Sequence, residues 1–87
     1  MAESKVRDEQ LKGVFARSMA GHDKGMIYVI QEWDSDTVML VNGKNRTMQN
    51  PKKKKRKHVQ IHGNQPVCTA KTDQEIRKAI KAYQNQD

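Results

Sequence analysis

Six cations stand in a row at Lys52, Lys53, Lys54, Lys55, Arg56 and Lys57, with no acid among them. Side chains of this type, spaced along a chain, neutralise successive phosphates of a polyanion, and that is the first chemistry the sequence offers. A run of like charge is more commonly a solvated tail or loop. This one sits between two strand-like segments, which gives it a fixed direction. The 17 Lys and Arg against 10 Asp and Glu leave a formal net charge of +7, and the stretches on either side of residues 50–62 are nearly neutral. Almost all the excess is therefore one block, and the balance favours a polyanionic partner, nucleic acid before an anionic membrane surface.

Other candidate chemistry is thinner. Arg17, His22, Lys24, Lys44 and Arg46 lie in or near a glycine-bearing loop and a predicted turn, and His58 closes the basic run. His58 and His62 on one strand would stand about 13 Å apart, too far to share a metal ion. Cys68 is the only thiol, so no metal site, no other cofactor and no internal disulfide is expected. Asp34 and Asp36 could be paired carboxylates, but a turn between strands uses Asp for local hydrogen bonds. No Ser-His-Asp or Cys-His grouping, P-loop or dinucleotide motif is present, and enzymatic activity is not expected. Phe15, Tyr28, Trp33 and Tyr83 fall in apolar patterns and are expected to pack a core rather than stack on bases.

A chain of 87 residues holds one small domain with a shallow core. Its apolar pattern predicts strands over Gly13–Ser18 and Met26–Trp33, separated by the loop Ala20–Gly25. After the polar turn Asp34-Ser35-Asp36, a third strand covers Thr37–Val41 and ends at Asn42-Gly43, a strong hairpin signal. Lys44–Met48 should then fold back against it. His58–His62 alternates, with Val59 and Ile61 facing inward and the histidines outward. Several short strands with tight turns and no crossover helix point to a small, strongly bent antiparallel barrel over residues 11–62. A linker spans 63–71. Thr72-Asp73-Gln74-Glu75 is a capping box, and Ile76, Ala79, Ile80 and Tyr83 recur at helical spacing, so an amphipathic helix fills 72–85. Residues 1–11 offer one helical turn. The longest apolar run, Met26–Ile30, is far too short for a membrane span, and no secretory leader is read, so a cytoplasmic protein is expected.

The segment Arg17-Ser18-Met19-Ala20-Gly21-His22-Asp23-Lys24-Gly25-Met26-Ile27-Tyr28-Val29-Ile30 resembles the KOW motif, a strand-loop-strand unit of ribosomal proteins and transcription elongation factors. The turn Val41-Asn42-Gly43-Lys44 and the block Asn50-Pro51 through Lys57, His58 and Val59 resemble more closely ribosomal protein fourteen of the archaeal and eukaryotic large subunit and its short bacterial RNA-binding relatives. Met26 and Ile27 stand where many KOW motifs carry another glycine, which fits the ribosomal group better than the elongation-factor type. The resemblance covers about residues 11–62 and implies an SH3-like barrel that binds RNA, most often ribosomal RNA, through the loop and its basic flanks.

From these readings, the expected RNA contacts are Arg17, Gly21, His22, Lys24, Gly25, Lys44, Arg46, the six cations Lys52 to Lys57, and His58. Lysines on phosphates read no bases, so recognition of folded RNA by shape is expected, with backbone N–H groups of the Gly21–Gly25 loop taking part. The alternative is a protein-interaction module of the translation or transcription machinery, using a sheet edge or the Ile76/Ile80/Tyr83 helix face. The run from Pro51 to Lys57 also looks like a nuclear localisation signal, although the flanking strand pattern makes it a poor exposed address.

Overall fold

β-Branched and aromatic residues build three strands, β1 (Phe15–Ser18), β2 (Ile27–Trp33) and β3 (Thr37–Val41). In the structure, a computed structural model that describes residues 11–63 and 67–85, two more strands follow. These are β4 (Lys52–Lys55) and β5 (Val59–Ile61), joined by a 3₁₀ turn over Arg56–His58. The five strands form one antiparallel sheet of order β4-β3-β2-β1-β5, and helix α1 (Asp73–Gln84) packs on it. The fold is thus mainly β with a C-terminal helix. No ladder joins β4 to β5, so the sheet is not closed. The helical turn expected over 1–11 lies outside the described residues except for Leu11, which is buried.

Side chains alternate between two apolar clusters, one on each face of the sheet. Ala16, Tyr28, Ile30, Val38 and Leu40 meet Leu11 and Val14, with Trp33, Val59 and Ile61 against them. Strands β3 and β5 are not neighbours in the sheet yet share this cluster, so the sheet bends around it. On the other face Phe15, Ile27, Val29 and Val41 receive Ile76 and Ile80 of α1. An extra residue in β2 keeps this parity. Ile30 pairs with Leu40, but Glu32 pairs with Met39 and Trp33 with Val38, leaving Gln31 as a bulge. Without it, strict alternation would turn Glu32 toward the core and Trp33 away.

Two segments differ from the sequence reading. Lys44–Met48 is not a strand. The Asn42 side-chain carbonyl accepts the N–H groups of Lys44 (2.9 Å) and Arg46 (3.0 Å), and the N–H groups of Asn42 and Gly43 both reach the Arg46 carbonyl. These bonds tie up the Lys44 and Arg46 amides and the Arg46 carbonyl inside the loop, which forms no ladder with β3. The partner of β3 is instead the lysine run: Thr37, Val38, Met39 and Leu40 pair with Lys55, Lys54, Lys53 and Lys52. Lysine stems are apolar, and the half-buried Lys52 and Lys54 lie on the same face as Val38 and Leu40.

Helix α1 starts where the capping residues place it. Thr72 Oγ1 accepts the N–H of Glu75 at 3.2 Å, while the Glu75 carboxylate takes the N–H of Lys71, one residue before the cap. Ile76 and Ile80 are buried and the Tyr83 ring stacks on Phe15 with 4.1 Å between centroids. The helix face that a protein partner was expected to use is therefore occupied by the sheet. Part of the expected linker is also held down, since the Cys68 N–H donates to the Gly13 carbonyl and Cys68 and Ala70 pack on the second cluster. Among the described residues, no helix is long and apolar enough to cross a membrane.

Candidate nucleic-acid interface

The β1–β2 loop is a closed backbone structure. Gly25 N–H donates to Ser18 O (2.7 Å), Ser18 N–H to Met26 O (2.9 Å), Lys24 N–H to Gly21 O (3.2 Å) and Met26 N–H to Asp23 O (2.9 Å). Gly21 and Gly25 hold positive φ angles of 87° and 93°, which suit glycine alone. Of the loop amides expected to face a ligand, those of Lys24 and Gly25 are consumed inside the loop. The N–H groups of Gly21, His22 and Asp23 have no acceptor among the described residues.

Asp23 holds the loop from within. Its Oδ1 accepts from Ser18 Oγ (2.8 Å) and from Lys54 Nζ (3.2 Å), its Oδ2 accepts from Tyr28 OH (2.8 Å), and Lys52 Nζ stands 4.0 Å away. Lys54 Nζ also donates to Ala20 O at 3.0 Å, so its ammonium staples β4 to the loop. Burial pushes the Asp23 carboxyl up, but the bonds from Ser18, Tyr28 and Lys54 and the lysine charge outweigh that and hold its pKa at about 2. The same contact works in reverse on Tyr28, where burial first and the Asp23 carboxylate second push the phenol up to about 12. Tyr28 therefore remains a donor.

The β4 alternation divides the basic run. Lys52 and Lys54 turn toward the Asp23 cluster, and the Lys54 side chain is only 12% exposed. Lys53 and Lys55 are exposed on the opposite face, and Lys57 is exposed on the 3₁₀ turn beside an exposed His58. Arg56 is tied to the β2–β3 turn through its guanidinium, which donates to Asp34 O at 2.9 Å, and through its N–H, which donates to Asp36 O. In the same turn Asp34 accepts the N–H groups of Asp36 and Thr37 and the Thr37 hydroxyl; these bonds lower its pKa and give it the local role expected of turn Asp.

The remaining predicted residues fall in different places. His22 and Lys24 are exposed on the loop. Arg46 is half-buried and close enough to Tyr28 for its charge to act on the phenol. Lys44 is exposed in the loop after β3, facing α1. Arg17 is exposed on β1 near His62, whose pKa is lowered by burial and then by the Arg17 charge. His62 does not point to solvent as expected; it is half-buried and its Nδ1 is hydrogen-bonded to the Tyr83 hydroxyl.

Sequence reasoning missed the two residues that border the loop, Met19 and Met26, which are 44% and 39% exposed. The signal was a methionine just before Ala20 and another just after Gly25. It also missed Lys54 as a structural cation, because the partner Asp23 is 31 residues away. Compared with known proteins, the chain matches no family model, and no curated protein is significantly similar to it.

Proposed function

We propose that this chain binds structured RNA, with the β1–β2 loop presented as a rigid unit and the outward cations of β4 and the following turn on phosphates. The bent sheet is read here as an SH3-like barrel of the KOW type, with ribosomal RNA as the favoured partner class. The observation that carries the reading is the division of labour in the basic run: Lys54 fixes the loop while Lys53, Lys55 and Lys57 remain exposed. A run that served only solubility would have no reason to hold a loop in place. The protein-interaction alternative loses one of its two surfaces, the helix face, since Ile76 and Ile80 are already buried.

The test is a salt titration. Three phosphate contacts from Lys53, Lys55 and Lys57 account for a log–log slope of about −2 on single strands or about −3 on duplex. Changing these three to Gln should make the slope shallower by that amount and weaken all RNAs alike, because phosphate contacts carry no sequence information. A parent slope near zero, or a triple variant with unaltered slope, overturns the reading.

A further inference from the structure

A basic concavity of about 480 Å³, apart from the β4 cations, lies between the start of β2, the loop after β3 and α1. Ile27 and Ile80 supply an apolar floor, and the exposed Met26 stands at its side, next to Gly25 of the β1–β2 loop. Lys44, Lys78 and Lys81 line it as exposed cations, and among the described residues no carboxylate does. Lys78 and Lys81 are three apart on the helix and so share a face. The guanidinium of Arg77 is held in place by donation to Gly43 O at 2.6 Å. The volume falls in the range of small-molecule pockets, about 300 to 1,000 Å³.

We propose that this concavity receives an unpaired nucleotide of the bound RNA, the base on Met26, Ile27 and Ile80 and the adjoining phosphates on Lys44, Lys78 and Lys81. The proposal rests on the RNA-binding reading and extends it from the loop to the helix. Charge selects an anion, and the apolar floor selects one that carries a flat apolar group. An acidic peptide fits less well. An extended peptide that adds a strand needs an open sheet edge, and β2 is a central strand with both edges paired. A nucleotide needs no such ladder. Lys53 and Lys55 lie on the same side of the sheet as Val41 and α1, so one RNA can meet both groups of cations.

The experiment compares a blunt RNA hairpin with the same hairpin carrying a single-stranded oligouridine extension, using the full chain and its Lys78→Gln/Lys81→Gln variant. Both positions are exposed on the helix, and Gln keeps helix propensity, so folding is preserved. The parent is expected to bind the extended RNA more tightly. The double variant should lose that preference, keep its affinity for the blunt hairpin, and show a slope on the extended RNA shallower by about 1.4, two contacts at about 0.7 each. Equal parent affinity for the two RNAs, or a variant that retains the preference, overturns the nucleotide site while the RNA reading stands. A parent that binds neither RNA overturns the RNA reading itself. A hexa-aspartate peptide that shifts the amide resonances of Met26 and Ile80, where oligouridine does not, overturns the proposal in favour of a peptide site.

Discussion

Gly43→Ala is expected to lose about 2 to 5 kcal/mol of stability, the sum of left-handed strain of about 1 to 2 and overpacking of about 1 to 3. Gly43 has φ 77°, and a Cβ there would stand 2.3 Å from the Asp73 carbonyl oxygen and 2.8 Å from Arg77 Cγ. The obstacle is helix backbone, which cannot rotate away. Either the loop after β3 or α1 must move, and the bonds Met48 N–H to Asp73 Oδ1 and Arg77 to Gly43 O go with it. Domains of this size are stable by only about 5 to 10 kcal/mol, so the loss is a large share of the total. Gly25→Ala is the control. Its φ of 93° imposes similar strain, but nothing lies within 4 Å of the added carbon. Urea unfolding of both variants should show Gly43→Ala the more damaging by the overpacking alone, about 1 to 3 kcal/mol, with α1 amides exchanging first; equal losses would mean that the approach of α1 to Gly43 is not tight.

Asp23→Asn is the second large effect, about 2 kcal/mol at pH 7. The variant leaves the ammonium of Lys54 without its counter-charge in a site where both side chains are 12% exposed. The effect should depend on pH in a defined direction. The folded carboxyl has a pKa of about 2 against the ordinary 3.8, so its stabilisation is complete above about pH 4 and is lost as pH falls through 2. The stability difference between parent and Asn variant should therefore shrink toward zero near pH 2. Comparing the two proteins cancels the other acids, Asp34 included. A difference that stays constant from pH 7 to pH 2 would show that the carboxylate charge plays no part in holding the loop.

The elements legible from residue order were those whose signals are local. β2 and β3 carry dense apolar patterns, and α1 has both a cap and a helical repeat within 12 residues. β4 escaped because four identical lysines show no alternation in type. Their alternation exists only in where each stem lies. Asn42-Gly43 was misleading for the opposite reason, since a strong local signal for a two-residue turn was overridden by an Asn side chain that satisfies amides up to Arg46. In the candidate site, the glycine loop was legible as a loop, whereas Asp23 as its internal anchor was not, because Ser18, Tyr28 and Lys54 converge on it only after three strands are in place.

The open sheet has a further consequence for how copies of this protein behave toward one another. An unpaired outer strand is a template onto which a second molecule can add its own strand, the usual route to edge-to-edge aggregation. On one side that strand is β5, three residues long and too short to recruit much. On the other it is β4, built of four consecutive lysines, so a second copy approaching edge to edge would set like charges against like. The residues that favour a polyanion thereby discourage self-association, and a sheet left unclosed by hydrogen bonds is guarded by charge.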